Sequence, residues 1–148
     1  MEKIEVKAII EDGAKEPVYM TEGSAGMDIY SFLDKDEIEI KPMERIAVPT
    51  GVKLEIPYGF EVQVRPRSGL AIKQGLTLIN SPGTIDSDYR GEIKILMINL
   101  SQDTAIIKNN ERIAQLVLKK VYFAEINKVN EIENTKRDSN GFGHTGRN

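Results

Sequence analysis

The sequence predicts an all-β fold, a barrel or a sandwich, with one short helix. Short segments alternate apolar and polar residues with the period of two expected for strands. Proline and glycine turn signals separate these segments at short intervals. Two longer runs, EIKILMINL (92–100) and RIAQLVLKKVYF (112–123), are apolar at both parities, which is typical of strands buried on both faces.

Two strand pairs are expected in the first half of the chain. The segments DEIEIKP (36–42) and RIAVPTG (45–51) form the first pair, and their prolines limit its length. The segments GVKLEI (51–56) and FEVQV (60–64) alternate on either side of the turn PYG, which is a hairpin signal.

A short helix is predicted over RSGLAIKQG (67–75). Ser68 is a good N-cap residue, and Gly75 is a good residue to end a helix. The N-terminus of such a helix presents free backbone N–H groups, which attract anions.

The end of the chain is polar and rich in glycine. Gly141, Gly143 and Gly146 interrupt it, which is typical of a mobile tail. We therefore expect a β domain over residues 1–136 and a mobile tail over residues 137–148, with no internal repeat and no linker to a second domain.

The composition excludes several classes of protein. The 148 residues include no cysteine and one histidine, which excludes disulfides, thiolate metal sites and His-rich metal centres. The net charge of −3 argues against general nucleic-acid binding, although a few local arginines suffice for a small anion. No apolar run approaches the roughly 20 residues of a membrane span, and MEKIEVKAII has no secretory apolar region. We expect a soluble cytoplasmic protein without nucleic-acid or membrane partners.

The segment RPRSGLA (65–71) carries more polar chemistry than a strand and a helix require. Taken alone, it is best explained by a capped helix with exposed arginines. The functional alternative is a phosphate cradle, in which Arg67 supplies a planar fork of donors. Ser68 and Gly69 then supply backbone N–H groups and a hydroxyl.

The segment SPGTIDSDYRG (81–91) also exceeds what a turn needs. As a plain turn, it uses Asp86 and Asp88 as turn residues, and Tyr89 packs on the edge of the sheet. As a site, it uses one carboxylate as a general base for water and Tyr89 as a flat wall for a ring or a sugar.

Three further residues are candidates. Gln115 shares strand parity with buried apolar residues, so it is either a satisfied core residue or a ligand contact. Asp28 in AGMDIYS is, in isolation, best explained as a turn residue. Phe142 lies between two glycines of the predicted tail, where it has no core to join, and this favours a lid that stacks on a ligand.

Taken together, five segments resemble the trimeric dUTP pyrophosphatase (dUTPase) family. They are, in order, AGMDIYS (25–31), RPRSGLA (65–71), NSPGTIDSDYRGEI (80–93), ERIAQL (111–116) and RDSNGFGHTG (137–146). The resemblance implies a jelly-roll-like subunit and a homotrimer with active sites at the subunit interfaces. It also implies hydrolysis of dUTP to dUMP and pyrophosphate, which keeps uracil out of DNA and supplies dUMP for thymidylate synthesis.

The resemblance implies a role for each residue of the central segments. Asp86 is the base that activates water for attack on the α-phosphorus. Tyr89 packs under the deoxyribose and leaves no room for a 2′-hydroxyl. The residues implied to read uracil are Asn80, Thr84, Ile85 and Lys94, the last three through the hairpin backbone. The residues implied to contact the phosphates are Arg67, Ser68, Gly69 and Gln115.

The resemblance extends to a metal and to the tail. Asp28 is implied to hold Mg²⁺ on the triphosphate through water. Arg137 is implied to bind the γ-phosphate, and Phe142 with Gly143 to cover the uracil. The tail departs from the family pattern with Asp138 and Asn140 in place of glycine and His144 in place of serine.

The residues also distinguish the implied function from three alternatives. A dCTP deaminase of the same fold uses a glutamate for attack at the base, whereas the spacing of Asp86 and Tyr89 and the tail favour phosphate chemistry. The presence of Asp86 also argues against a non-catalytic nucleotide-binding protein. A purely structural β protein would not need the five segments.

Overall fold

The computed structural model describes residues 2–139 and, within them, eleven strands and one short helix. The strands are β1 Lys7–Ile10, β2 Met27–Tyr30, β3 Glu37–Ile40, β4 Arg45–Pro49, β5 Val52–Glu55, β6 Phe60–Arg65, β7 Leu76–Leu78, β8 Gly83–Ile85, β9 Lys94–Asn99, β10 Ala105–Lys108 and β11 Arg112–Lys120. The helix α1, Ser68–Gln74, lies between β6 and β7. The predicted all-β fold with one short helix is confirmed.

The strands form four antiparallel sheets around one core. Their orders are β1–β5, β3–β10, β2–β11–β6–β8 and β4–β9–β7. Each of these pairings joins strands that are not consecutive in the chain. Long connections between non-consecutive antiparallel strands are typical of a jelly-roll-like fold.

Both strand pairs predicted from the sequence are wrong. β3 pairs with β10 and β4 with β9, so the two neighbours in the chain belong to different sheets. β5 pairs with β1, whereas β6 lies between β11 and β8. Alternation in the sequence indicates which face of a strand is buried, but it does not specify which strand lies beside it.

The two long apolar runs differ in burial. In β11, Ile113, Ala114, Leu116 and Val117 are buried, so both faces of this strand are covered, as predicted. In β9 the pattern alternates, and Leu96 is 41% exposed while its neighbours Ile95 and Met97 are buried. The prediction for β9 is therefore wrong.

The helix begins one residue earlier than predicted, because the N-cap is Arg67 and not Ser68. Arg67 is its N-cap, with extended backbone and no capping side-chain bond, and its carbonyl accepts the N–H of Ala71 at 3.1 Å. Ser68 is therefore the first helical residue. Gly75 ends the helix with φ of 66°, as predicted. No helix within residues 2–139 is long and apolar enough to cross a membrane.

Candidate active site

A cleft of about 450 Å³ opens between the β6–β8 edge of one sheet and the outer face of β9. Apolar side chains form much of its wall, including Val64, Leu78, Ile93 and Leu96. The structure also brings five predicted site residues to this cleft: Asn80, Thr84, Ile85, Tyr89 and Lys94. A cleft that combines apolar side chains with a few polar groups is the usual form of a site for a small ring-containing ligand.

Asp86 lies at the end of β8, in the turn that carries Tyr89. The backbone carbonyl of Asp86 accepts the N–H of Tyr89 at 3.2 Å. The side chain is exposed, and within residues 2–139 its carboxylate has neither a hydrogen-bond partner nor an ion-pair partner. This carboxylate is therefore free to accept a proton from water.

Tyr89 is held against its own loop. Its hydroxyl donates to the backbone carbonyl of Glu92 at 3.0 Å. The Cβ of any larger residue at position 91 would overlap the Tyr89 ring, so Gly91 is required for this ring position. The ring remains 45% exposed, which leaves it available to a ligand in the cleft.

A second cluster is built around Asp28, on β2. Its Oδ2 atom lies 3.3 Å from Nη2 of Arg67 and 3.2 Å from Nη1 of Arg112. Arg67 also donates from Nη1 to the backbone carbonyl of Arg112 at 2.9 Å. The Asp28 side chain is 13% exposed. One mostly buried carboxylate thus fixes two guanidinium groups, and the cluster keeps a net positive charge that favours an anion.

Gln115, Ser68 and Gly69 lie near this cluster. In β11, Gln115 pairs with Asp28 on one side and with Arg65 on the other. Its side-chain amide donates to the carbonyl of Pro66 at 3.1 Å, immediately before Arg67. Ser68 and Gly69 are exposed in the first turn of α1, where backbone N–H groups have no intrahelical acceptor.

The strand register separates Asp86 from the cationic cluster within one chain. Val64 pairs with Gly83 and Val62 with Ile85, so β8 runs away from the cluster as it approaches Asp86. By this register Pro82 is level with Arg65, and Asp86 is four residues further along. Because a β-strand rises about 3.3 Å per residue, Asp86 lies about 13 Å from Arg65 along the strand direction. Within residues 2–139, no hydrogen bond or ion pair joins the two groups.

The predicted tail residues are mostly beyond the described part of the chain. Arg137 and Asp138 lie on the surface in the segment that follows β11. Asn140, Phe142, Gly143 and His144 lie outside the described residues.

Sequence reasoning missed two residues of this region, Arg112 and Glu92. Arg112 lies in the segment ERIAQL, at the start of β11. A cation at the start of a strand that pairs with the strand of Asp28 could have indicated it. Glu92 lines the cleft, and its Oε1 atom accepts the backbone N–H groups of Thr50 and Gly51 at 3.1 and 3.0 Å. No local pattern indicates such a long-range contact.

Comparison with known proteins gives one family. A protein-family model described as dUTPase matches residues 12–146. The deoxyuridine 5'-triphosphate nucleotidohydrolase of Fusobacterium nucleatum subsp. nucleatum is 54% identical over 147 residues, covering 99% of this chain and 100% of that protein. The protein of the same name from a Hydrogenobaculum species is 51% identical over 144 residues, covering 97% of this chain and 98% of the relative.

Solved structures give the same architecture. The dUTPase of Staphylococcus bacteriophage 80alpha, solved with dUpNHpp, matches with a TM-score of 0.83 at 24% identity, covering 97% of this chain and 99% of that chain. A dUTPase from phage phi11 of S. aureus, with a structural Mg(II) ion, matches with a TM-score of 0.78 at 23% identity, covering 88% and 99%. At these identities the two structures support the fold alone.

Proposed function

The chain belongs to the dUTPase family, and we propose that it hydrolyses dUTP to dUMP and pyrophosphate. The observation that carries the proposal is the loop beside the cleft. It presents a free carboxylate, Asp86, three residues before the exposed ring of Tyr89. Such a reaction keeps uracil out of DNA and supplies dUMP for thymidylate synthesis. Free nucleotides are cytoplasmic metabolites, so the proposal places the enzyme in the cytoplasm.

The cleft is the proposed site for the nucleoside. Its apolar wall suits the faces of a uracil ring, while the Asn80 amide and the backbone of Thr84 and Ile85 supply donors and acceptors for the ring edge. Cytosine presents a different donor–acceptor pattern and would leave buried polar groups unpaired. Tyr89 packs under the deoxyribose, where a 2′-hydroxyl would collide with the ring.

The cationic cluster is the proposed site for the phosphates. Arg67, Ser68 and Gly69 supply donors, and Gln115 lies beside them. We add Arg112 to this group because the same carboxylate orients both guanidinium groups. Guanidinium groups that are already fixed lose little side-chain entropy when an anion binds.

The chemistry follows from these positions. Asp86 takes a proton from a water molecule, and the water oxygen forms a bond to the α-phosphorus. The bond from that phosphorus to the bridging oxygen breaks, and pyrophosphate leaves with the electron pair. The arginines stabilise the negative charge that develops on the transferring group and on the leaving group.

The donor set fits Mg²⁺ that arrives with the triphosphate. Within residues 2–139 there is no group of three acidic, histidine or cysteine side chains that could hold a metal. The Oδ2 atom of Asp28 makes the contacts with the two arginines. Mg²⁺ on phosphates keeps several waters and needs few carboxylates, so Asp28 would hold it through water. The bound metal supplies neutralisation of phosphate charge.

The active form is a proposed homotrimer, with each site at a subunit interface. The base and the cationic cluster are separated in one chain by the register of β6 and β8, so a neighbouring copy would bring them together. The segment after β11 supports this proposal because Phe123, Ile126 and Ile132 are each more than three-quarters exposed. Several exposed apolar side chains in one segment are consistent with a surface that packs against a partner.

The tail, residues 137–148, is proposed to close over the bound nucleotide. Arg137 would bind the γ-phosphate, and Phe142 and Gly143 would cover the uracil. Asp138 next to Arg137 adds negative charge there and would weaken this contact. Closure of such a segment excludes bulk water from the reacting phosphate.

The substrate is tested by pyrophosphate release with Mg²⁺ from dUTP, dCTP, dTTP and UTP in parallel. We expect rapid release from dUTP alone, because each competitor differs at a group that the cleft or Tyr89 contacts. Omission of Mg²⁺ should slow the reaction. Release of ammonia from dCTP, or binding of dUTP without turnover, would contradict the proposal and identify a deaminase or a binding protein.

The base is tested with Asp86→Asn. The amide cannot accept the proton from water, so kcat should fall by about 10²- to 10⁴-fold while dUTP binding persists. Asp88→Asn, two residues away in the same turn, is the matched control and should keep most of its activity. The measurement is the steady-state kcat of both variants. Near-normal turnover by Asp86→Asn would exclude this residue as the base.

The interface is tested by mixing two inactive variants, Arg67→Ala and Asp86→Asn. If each site combines the cluster of one chain with the base of the next, co-refolding equal amounts should restore about a quarter of the wild-type activity, because two adjacent chains must each be the correct variant. The same mixture without unfolding and refolding is the control. Absence of recovery in a correctly sized oligomer would mean that each site lies within one chain.

The tail is tested by deletion of residues 141–148. We expect turnover to fall on the order of ten- to a hundredfold with little change in the melting temperature, since the deletion removes a lid and leaves the core intact. Deletion of residues 147–148 alone is the control, because these lie beyond the segment that resembles the family. A large loss of thermal stability would show that the tail is structural.

A further inference from the structure

Glu92 occupies an unusual position between the two sheets. Tyr89 and Glu92 lie on the loop from β8 to β9, which connects the four-stranded sheet to the three-stranded sheet. The Oε1 atom of Glu92 accepts the N–H groups of Thr50 and Gly51, in the turn between β4 and β5, at 3.1 and 3.0 Å. Two hydrogen bonds to an ionised acceptor make a strong anchor for an otherwise irregular loop.

The turn that receives this anchor is itself rigid. Thr50 is 1% exposed, and its hydroxyl donates to the carbonyl of Ile93 at 2.6 Å. Gly51 has φ of 66°, and a Cβ there would collide with Ala14 and Phe32. The N–H of Ile93 donates to Val52 at 2.8 Å. The backbone on the C-terminal side of Glu92 is therefore held through both the N–H and the carbonyl of Ile93.

Tyr89 connects the anchored Glu92 backbone to the cleft. The Tyr89 hydroxyl donates to the carbonyl oxygen of Glu92 itself, and the ring lies against the bare backbone of Gly91. The position of the ring thus depends on where the Glu92 backbone lies. The second carboxylate oxygen of Glu92 lies 3.9 Å from the ammonium group of Lys94, another residue of the cleft.

We propose that Glu92 is a positioning residue for sugar discrimination: by tying the loop to the β4–β5 turn, it fixes the Tyr89 ring where it excludes a 2′-hydroxyl. This inference rests on the proposed function. Glu92 acts through Tyr89 and the loop backbone, and it takes no part in the proton transfer assigned to Asp86. A loosened loop lets the ring retreat, so a ribonucleotide gains room while the deoxyribonucleotide loses packing.

The test is the ratio of kcat/KM for dUTP to kcat/KM for UTP in Glu92→Ala. We expect the ratio to fall by about tenfold or more, with the change for dUTP mainly in KM, since a misplaced wall weakens substrate binding. Glu92→Gln keeps the Oε1 acceptor and should retain most of the ratio. Glu92→Asp, one methylene shorter, serves if the alanine variant fails to fold, and it should show an intermediate loss.

The control is Glu44→Ala. The Glu44 carboxylate also accepts a backbone N–H, that of Lys41 at 2.7 Å, but it does not line the cleft. This variant should lose stability without changing the ratio. A Glu92→Ala enzyme that is slower on both substrates in parallel, with an unchanged ratio, overturns the inference and leaves Glu92 a structural residue.

A second measurement separates this inference from the proposed function. Hydrogen exchange of residues 86–93 should accelerate in Glu92→Ala relative to wild type, whether or not the enzyme acts on dUTP. Unchanged protection would overturn the anchoring itself. If wild-type protein releases no pyrophosphate from dUTP while the loop still loosens, the proposed function fails and the anchoring is supported.

Discussion

The register of β11 between β2 and β6 is the constraint on which the candidate site depends. β11 is covered on both faces, so a slip of one residue would turn Leu116 to the opposite face and disrupt the packing on both sides of the strand. The same register places Gln115 opposite Asp28 on one side and opposite Arg65 on the other. Arg67 lies two residues beyond the end of β6, and its guanidinium group reaches Asp28. Hydrophobic burial in this strand therefore fixes the positions of the charged groups.

The register also explains why a single chain is an incomplete enzyme under the proposed function. β8 lies at the edge of the same sheet, and its pairing with β6 carries Asp86 away from the cationic cluster. A carboxylate placed next to two arginines would form an ion pair and become a weaker base. Separation within the chain keeps Asp86 free of them, and assembly would bring the groups to opposite sides of a bound triphosphate. If the proposed homotrimer is the active form, this arrangement would link catalysis to oligomerisation.

Sequence patterns predicted the elements well and their partners poorly. Alternation located the strands, and Gly75 located the end of the helix, because both depend on local geometry. The strand pairs failed because β3 and β5 find their neighbours far along the chain, at β10 and β1. The five segments indicated the family, which the comparisons confirm. Arg112 and Glu92 were not predicted as site residues because their hydrogen-bond partners lie 84 and 42 residues away in the sequence. No spacing in the sequence indicates such contacts.

The loop from β8 to β9 illustrates how rigidity can be supplied at an irregular segment. Under the proposed function, recognition of the sugar requires a rigid contact surface, yet Tyr89, the residue proposed to supply it, lies on a turn and is 45% exposed. A strand would offer a backbone held by a ladder of hydrogen bonds, but residues 86–93 form no strand. A loop carries Asp86 and Tyr89 instead, and Glu92 anchors this loop by hydrogen bonds to the buried turn between β4 and β5. Freedom at Asp86 and rigidity at Tyr89 thus coexist three residues apart.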